Sequence, residues 1–414
     1  MDSRVRDVVI IGAGQAGAEA ALALRQLRYR GGVTVIGAED LLPYSRPLLS
    51  KDFLIGALPA EKLPLRTAQA YERADITMRL GETVVALSPE LKTVTLASGE
   101  VLHYAACILA AGASARRILL PGDDLEGIYT LRSRVDADRL RAALGSGVRL
   151  VVLGAGYLGL EVAASARKLG SAVTVIEATP RVLGRSASEL TARALARRHQ
   201  REGVDLRLGA AAVGFIGHNG KVRAVGLRGG EEIAADVVVI AVGANPETGL
   251  AKAAGIRCDH GILADADART SAADVYAIGD CALWDTGDGR GALRLESVQM
   301  ASQGARAAAA AIAGAPRPAV KQPYFWSNQY DLKLQIAGVI PAGQVTEDVL
   351  DGDLEGAFAV KRSANGRLLA VEAVNAPRKY IEAQLLIGQS LPQFARGEVG
   401  EYSFRATRRD QANR

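Results

Sequence analysis

The sequence predicts an α/β protein with two Rossmann-like dinucleotide-binding domains followed by a C-terminal α+β domain. Three observations carry the prediction. First, a β-branched run feeds a glycine loop twice: Val8-Val9-Ile10-Ile11 before Gly12-Ala13-Gly14-Gln15-Ala16-Gly17, and Leu150-Val151-Val152-Leu153 before Gly154-Ala155-Gly156-Tyr157-Leu158-Gly159. Each loop opens an Ala-rich helical stretch, so backbone N–H groups at a helix N-terminus can cradle a pyrophosphate. Second, each copy continues into a further strand and an acid, Val33-Thr34-Val35-Ile36 with Glu39 and Val173-Thr174-Val175-Ile176 with Glu177. The acid is the part of the pattern that meets a ribose hydroxyl. Third, from Tyr324 onward the periodicity changes to short alternating strands.

Taken in order, the first copy ends in Cys107-Ile108-Leu109-Ala110-Ala111-Gly112, a buried strand whose small terminal residues let backbone approach a ligand. A linker around Pro121-Gly122 opens the second copy, which closes in the same way with Val237 to Gly243. The stretch Asp274 to Asp280 reads as another short strand returning to the first domain, and a helix follows over about Glu296 to Ala313. Strands are expected over Lys333 to Ile336, Gly356 to Lys361 and Arg367 to Val374, then a helix near Tyr380 to Ile387. The domains are therefore 1–112 with 244–323, discontinuous, then 113–243, then 324–414.

Composition narrows the function. A chain of 414 residues suggests two or three domains. Although 49% of residues are hydrophobic, no uncharged apolar run is long enough to span a bilayer. The first strand follows Met1 to Asp7 with no room for a signal peptide, so a soluble, cytoplasmic protein is expected. Cys107, Cys258 and Cys281 share no Cys-x-x-Cys spacing, and His103, His199, His218 and His260 are scattered. No disulfide framework and no metal site are expected. A net charge of +5 and a basic tail from Arg405 to Arg414 suit an acidic partner, while no nucleic-acid-binding pattern accompanies them.

The segments Pro43-Tyr44-Ser45-Arg46-Pro47-Leu48-Leu49-Ser50-Lys51, Arg294-Leu295-Glu296-Ser297-Val298-Gln299 and Phe325-Trp326-Ser327-Asn328-Gln329-Tyr330-Asp331 add a resemblance. With Ala110-Ala111-Gly112 and Thr270 to Asp280, they make nearly the whole chain similar to the oxygenase-coupled NADH-dependent ferredoxin reductases. These are FAD proteins of glutathione-reductase-like fold. The resemblance implies that Gly12, Gly14 and Gly17 hold the FAD pyrophosphate and Glu39 its adenosine ribose, although Gly37, not Glu39, is the counterpart of Glu177. Arg46, Lys51, Ala111, Gly112, Asp280, Val298 and Trp326 complete the implied FAD site, Asp280 on the ribityl chain and Trp326 beside the ring system.

NAD(H) is implied at Gly154, Gly156, Gly159, Glu161, Glu177, Arg185 and Gly243. Glu177 favours NADH by repelling a 2′-phosphate, while Arg181 and Arg185 could soften that rejection. Lys51 beside flavin N5 and Glu161 on the nicotinamide side are the implied catalytic residues, a compensated pair in a poorly hydrated site. Disulfide reductases carry a Cys pair where this chain has Pro47-Leu48-Leu49-Ser50-Lys51, so electrons are expected to leave the flavin directly.

An acidic 2Fe-2S ferredoxin is the implied acceptor, supplying a cytochrome P-450 or a ring-hydroxylating dioxygenase. Arg66 and Arg306 are candidate docking residues, with Arg378 and Lys379 behind them. An NADH oxidase, a rubredoxin-type reductase and a flavin-bound redox sensor resembling apoptosis-inducing factor are the alternatives. Met300, where the family is usually polar, and the absence of a second proline after Arg46-Pro47 are the departures.

Overall fold

The computed structural model describes residues 6–390 and the strand Phe404–Arg405. The rest of the basic tail lies outside the described residues. Two compact units divide the chain: Met1–Arg46 with Leu58–Ser114 and Ala244–Lys321, and Pro47–Ala57 with Ala115–Gly243 and Gln322–Arg414. Residues 47–57, in the middle of the first expected domain, thus cluster with the second unit.

The first unit is built on a five-stranded parallel sheet. Its strands run in the spatial order Val275–Ala277, Ala106–Leu109, Val8–Ile11, Val33–Gly37, Thr77–Leu80. The strand before the glycine loop is central, and Val8 and Ile10 are fully buried on the face that helices cover, while Val9 and Ile11 pack with Leu87, Val94 and Leu96 on the other. Helix Gln15–Gln26 packs on helix Val298–Ala313 through Ala16, Ala20, Ala23 and Ala301, Ala305, Ala308. The latter helix starts at Val298, two residues later than the sequence suggests, because Ser297 caps it by accepting from the Met300 amide. An antiparallel insert, Val84–Ser88, Thr93–Leu96 and Val101–His103, has no counterpart in the sequence reading.

The second unit repeats the parallel sheet in the order Asp205–Leu208, Ala172–Glu177, Arg149–Leu153, Val237–Ile240, Ile128–Tyr129. It adds its own antiparallel insert over Ala212–His218, Lys221–Leu227 and Glu232–Ala234. The same unit holds an antiparallel sheet in the order Tyr324–Gln329, Leu332–Gly338, Arg367–Val374, Phe358–Ala364, Glu347–Gly352 and Phe404–Arg405. Helix Pro377–Leu386 covers it by packing Tyr380 and Ala383 onto Ala337, Ala359 and Val371. Strand Arg367–Val374 is found where it is expected, whereas Tyr324–Gln329 and Glu347–Gly352 are strands the pattern did not reveal.

Glu372, 1% exposed, ties this sheet to helix Glu189–Arg201 of the same unit. Its carboxylate accepts from the Ser188 amide at 2.8 and 3.0 Å, from Ser188 Oγ at 2.6 Å and from Arg362 Nη1 at 2.9 Å. Ser188 is the N-cap, so the buried acid also sits at the positive end of that helix.

Candidate functional site

The two glycine loops have the same local geometry, and each glycine in them has a separate reason. A Cβ on Gly12 would stand 2.2 Å from Ala110 O, and one on Gly154 would stand 2.5 Å from Ala241 O. Both glycines also have positive φ, +118° and +104°. A Cβ on Gly17 or Gly159 would fall 2.0 Å from the carbonyl oxygen of Gly12 or Gly154, so these positions let helix lie against strand. Gly14 and Gly156 differ: nothing lies within 4 Å of a Cβ there. Packing does not require a glycine at either place. A phosphate approaching the backbone does, and this is the observation by which the loops fit dinucleotides.

Strand register explains the late acid of the first copy. Ile11 pairs with Ile36 and Leu153 with Ile176, which makes Gly37 the counterpart of Glu177. A Cβ on Gly37 would lie 2.5 Å from Ala13 Cβ, so no side chain fits, and the carboxylate comes two residues on. Glu39 accepts from Tyr44 OH at 2.7 Å and Arg46 Nη2 at 2.6 Å, with the Arg46 guanidinium 4.9 Å from the Tyr44 ring centre. In the second copy Glu177 accepts from the Ala155 amide in the loop itself, and from Thr179 N and Oγ1, all at 2.8 Å. Arg181 is committed to its own loop, donating to Ala187 O and Gly184 O at 2.8 Å, while Arg185 is exposed.

In the first unit, Ala111 and Gly112 follow strand Ala106–Leu109, with Gly112 at φ +74°. Asp280 lies in the turn Gly279–Cys281, where Gly279 has φ +71° and its Cβ would be 2.9 Å from Ala16 Cβ. Val298 is the first residue of its capped helix, and Met300 lies in the core with Ile11 and Leu109. Arg66 and Arg306 are exposed.

In the second unit, Gly243 follows strand Val237–Ile240 at φ +110°. Trp326 stacks on Tyr324 with ring centres 5.9 Å apart and lines a cavity of about 230 Å³ with Phe325, Gln335 and Tyr380. Arg378 is exposed, whereas Lys379 is paired with Asp351 at 2.5 Å.

Lys51 and Glu161 meet. Lys51 Nζ is 2.7 Å from Glu161 Oε2, with side-chain exposures of 13% and 6%. Neither is the surface charge that its neighbours in sequence would suggest. Lys51 also donates to Pro47 O at 2.9 Å, which pins the start of its own turn. Ser50 Oγ donates to Glu161 Oε2 and Ser327 Oγ to Glu161 Oε1, both at 2.6 Å. An ammonium and two hydroxyls are thus directed at one buried carboxylate, and both of its oxygens are engaged. The two serines were absent from the sequence reading as site residues, although both lie in the motifs that carried the resemblance.

The cysteines offer no relay. Burial pushes the Cys107 thiol far up and raises that of Cys281 to about 11, so both stay protonated at neutral pH. All three cysteines are free. Among the described residues no helix is long and apolar enough to cross a membrane.

These features are those of a flavin- and nicotinamide-dependent oxidoreductase, and the chain belongs to the pyridine nucleotide-disulphide oxidoreductase family, whose model matches residues 6–305. The reductase C-terminal model matches residues 324–399. Among named relatives, the chain is 39% identical to the ferredoxin–NAD(P)(+) reductase of a Sphingomonas species, over 92% of both chains. It is 37% identical to the rubredoxin–NAD(+) reductase of Pseudomonas putida, over 90% of this chain and 96% of that one. Among solved structures, the covalent putidaredoxin reductase–putidaredoxin complex matches with a TM-score of 0.89 at 34% identity, covering 94% of each chain. The family and the glycine loops together define FAD and NAD(H) as its cofactors.

Proposed function

We propose that this chain is an FAD-dependent NADH:ferredoxin oxidoreductase that delivers electrons to a 2Fe-2S ferredoxin serving a cytochrome P-450 or a ring-hydroxylating dioxygenase. The observation that carries the reading is the buried ion pair that Glu161 makes with Lys51, a residue of the segment where a thiol relay would otherwise stand. FAD, when bound, accepts two electrons together as a hydride and releases them one at a time, which a one-electron iron–sulfur acceptor requires.

The chain's residues have distinct tasks in this proposal. Gly12, Gly14 and Gly17 hold the FAD pyrophosphate, Glu39 and Arg46 its adenosine end, and Ala111, Gly112, Asp280, Val298 and Trp326 the rest. Gly154, Gly156, Gly159 and Gly243 hold the coenzyme, and Glu177 accepts from its ribose. With Arg181 already occupied, Arg185 is the one cation of that loop available to a 2′-phosphate, which supports a preference for NADH. Lys51 and Glu161, buried and mutually compensated, would flank the bound flavin and nicotinamide without adding net charge where hydride passes between them. Arg66, Arg306 and Arg378 are docking cations for an acidic carrier; Lys379 contributes less, because Asp351 already neutralises it. The domain assignment follows: 1–112 with 244–323 for FAD, 113–243 for NAD and 324–414 as the C-terminal domain.

The rubredoxin-type reading has its own support in the Pseudomonas putida relative. Competition between oxidised 2Fe-2S ferredoxin and rubredoxin for the NADH-reduced protein separates the two. A higher kcat/KM for ferredoxin supports the leading assignment, and a higher value for rubredoxin replaces it.

A further inference from the structure

The contacts of Glu161 continue well beyond Lys51. Ser327 Oγ, which donates to Glu161 Oε1, accepts from Gln329 Nε2 at 3.0 Å. Gln329 Oε1 lies 2.9 Å from His199 Nε2, and His199 Nδ1 lies 3.4 Å from the Tyr330 hydroxyl. Ser327, Gln329 and His199 are all buried, at 1%, 2% and 0% exposure.

The direction of each bond follows from the chemistry of the groups. A charged Glu161 can only accept, so the single hydroxyl proton of Ser327 goes to it, and Ser327 takes its other bond from an amide N–H. That orients Gln329 with its carbonyl oxygen toward His199, which must then donate from Nε2. A neutral imidazole protonated at Nε2 has a bare Nδ1, and the Tyr330 hydroxyl faces it. Burial pushes the His199 pKa down to about 4, so the ring is neutral at pH 7 and this single tautomer satisfies its neighbours. Every donor in the line points toward Glu161.

We infer that Ser327, Gln329 and His199 are positioning residues, a buried line of donors that holds the Glu161 carboxylate in one orientation. The inference rests on the proposed part of Glu161 in hydride transfer. The line does not conduct protons, because the Gln329 amide cannot pass one on at neutral pH. Its effect is positional: hydrogen bonds in series, each with a fixed donor, leave Glu161 Oε1 one place to sit. The groups facing Glu161 are Lys51 and Ser50 from residues 47–57 and Ser327 from strand Tyr324–Gln329. At the far end, on helix Glu189–Arg201 and just after it, Arg198 pairs with Glu202 at 2.7 Å and with Asp331 at 3.1 Å, so the line ends in a compensated cluster.

The test is flavin bleaching by NADH in the FAD-bound enzyme, without oxygen, followed over a range of NADH concentrations. Ser327→Ala is expected to lower the limiting bleaching rate roughly 5-fold while leaving the NADH concentration at half that rate within about twofold of the parent. Ser327→Thr, which keeps a hydroxyl, restores the rate, and Gln329→Met lowers it by less. Should Ser327→Ala not yield yellow protein, Gln329→Met is read alone by the same criterion. A limiting rate within about twofold of the parent, while Glu161→Gln is slow, overturns the inference. If Glu161→Gln bleaches as fast as the parent, the part given to Glu161 itself is wrong, and the positioning argument falls with it.

Discussion

Glycines identical in sequence carry different burdens at the residue scale. Gly17→Ala places a methyl 2.0 Å from the Gly12 carbonyl and is expected to prevent folding of the first unit. Gly14→Ala places its methyl in open space, so the protein should fold normally and lose FAD. Measuring flavin absorbance per mole of protein, together with far-ultraviolet circular dichroism, separates the two outcomes. Equal flavin content in Gly14→Ala and parent would remove the argument that this glycine serves a phosphate. Glu161→Gln should keep FAD but slow its reduction by NADH about 100-fold, since Lys51 would then face an uncharged amide in a buried site.

What the sequence made legible at this scale was the local signal. Glycine spacing, the acid after each second strand and the Lys51 and Glu161 motifs are short patterns with a mechanical reason. Glu39 could be named but not explained until the register put Gly37 against Ala13. Ser50, Gln329 and His199 could not be placed in a site from sequence, because their partners come from distant segments and hydroxyls and amides carry no spacing code.

Elements show the same division. The two loop strands, their helices and strand Arg367–Val374 follow from periodicity, and helix Val298–Ala313 needed only its Ser297 cap to fix its start. The antiparallel inserts and strand Glu347–Gly352 escaped, because short, half-exposed strands mix polar and apolar residues without clean alternation. The clasp of Glu372 on the cap of helix Glu189–Arg201 joins residues from distant segments, and nothing in the sequence announces it. Glu372→Ala leaves the Ser188 amide without its buried acceptor and Arg362 with Asp348 as its remaining acid, and should cost about 1–3 kcal/mol, read as a lower midpoint in urea unfolding. An unchanged midpoint would show the clasp to be inert.

His199 gives this element a pH dependence. Its folded pKa, about 4, lies below the unfolded value, so between roughly pH 6.5 and 4 the unfolded chain binds a proton that the fold does not. Stability is full above that window and falls with pH through it, by about 3 kcal/mol in all. His199→Gln should flatten this part of the stability profile. A profile as steep as the parent's would assign the loss to other groups.

For the whole molecule, the central claim concerns where electrons go. The chain keeps the two-dinucleotide plan of a disulphide oxidoreductase family, yet all three of its cysteines are free, and buried Cys107 and Cys281 have raised pKa values. It carries Ser50 and Lys51 in the segment where disulfide reductases place their cysteine pair. The fold class and the cofactor pair were legible in the sequence. The membership of residues 47–57 in the second unit was not, since it depends on the long-range contacts of Lys51 and Ser50 with Glu161.

The most direct test of this claim is anaerobic stopped-flow absorbance of the FAD-bound protein, mixed first with NADH and then with oxidised 2Fe-2S ferredoxin. The account predicts rapid flavin bleaching followed by rapid ferredoxin reduction, much faster than reoxidation of the bleached protein by air. Rapid bleaching followed by ferredoxin reduction no faster than air reoxidation would contradict it and make the protein an oxidase or a redox sensor.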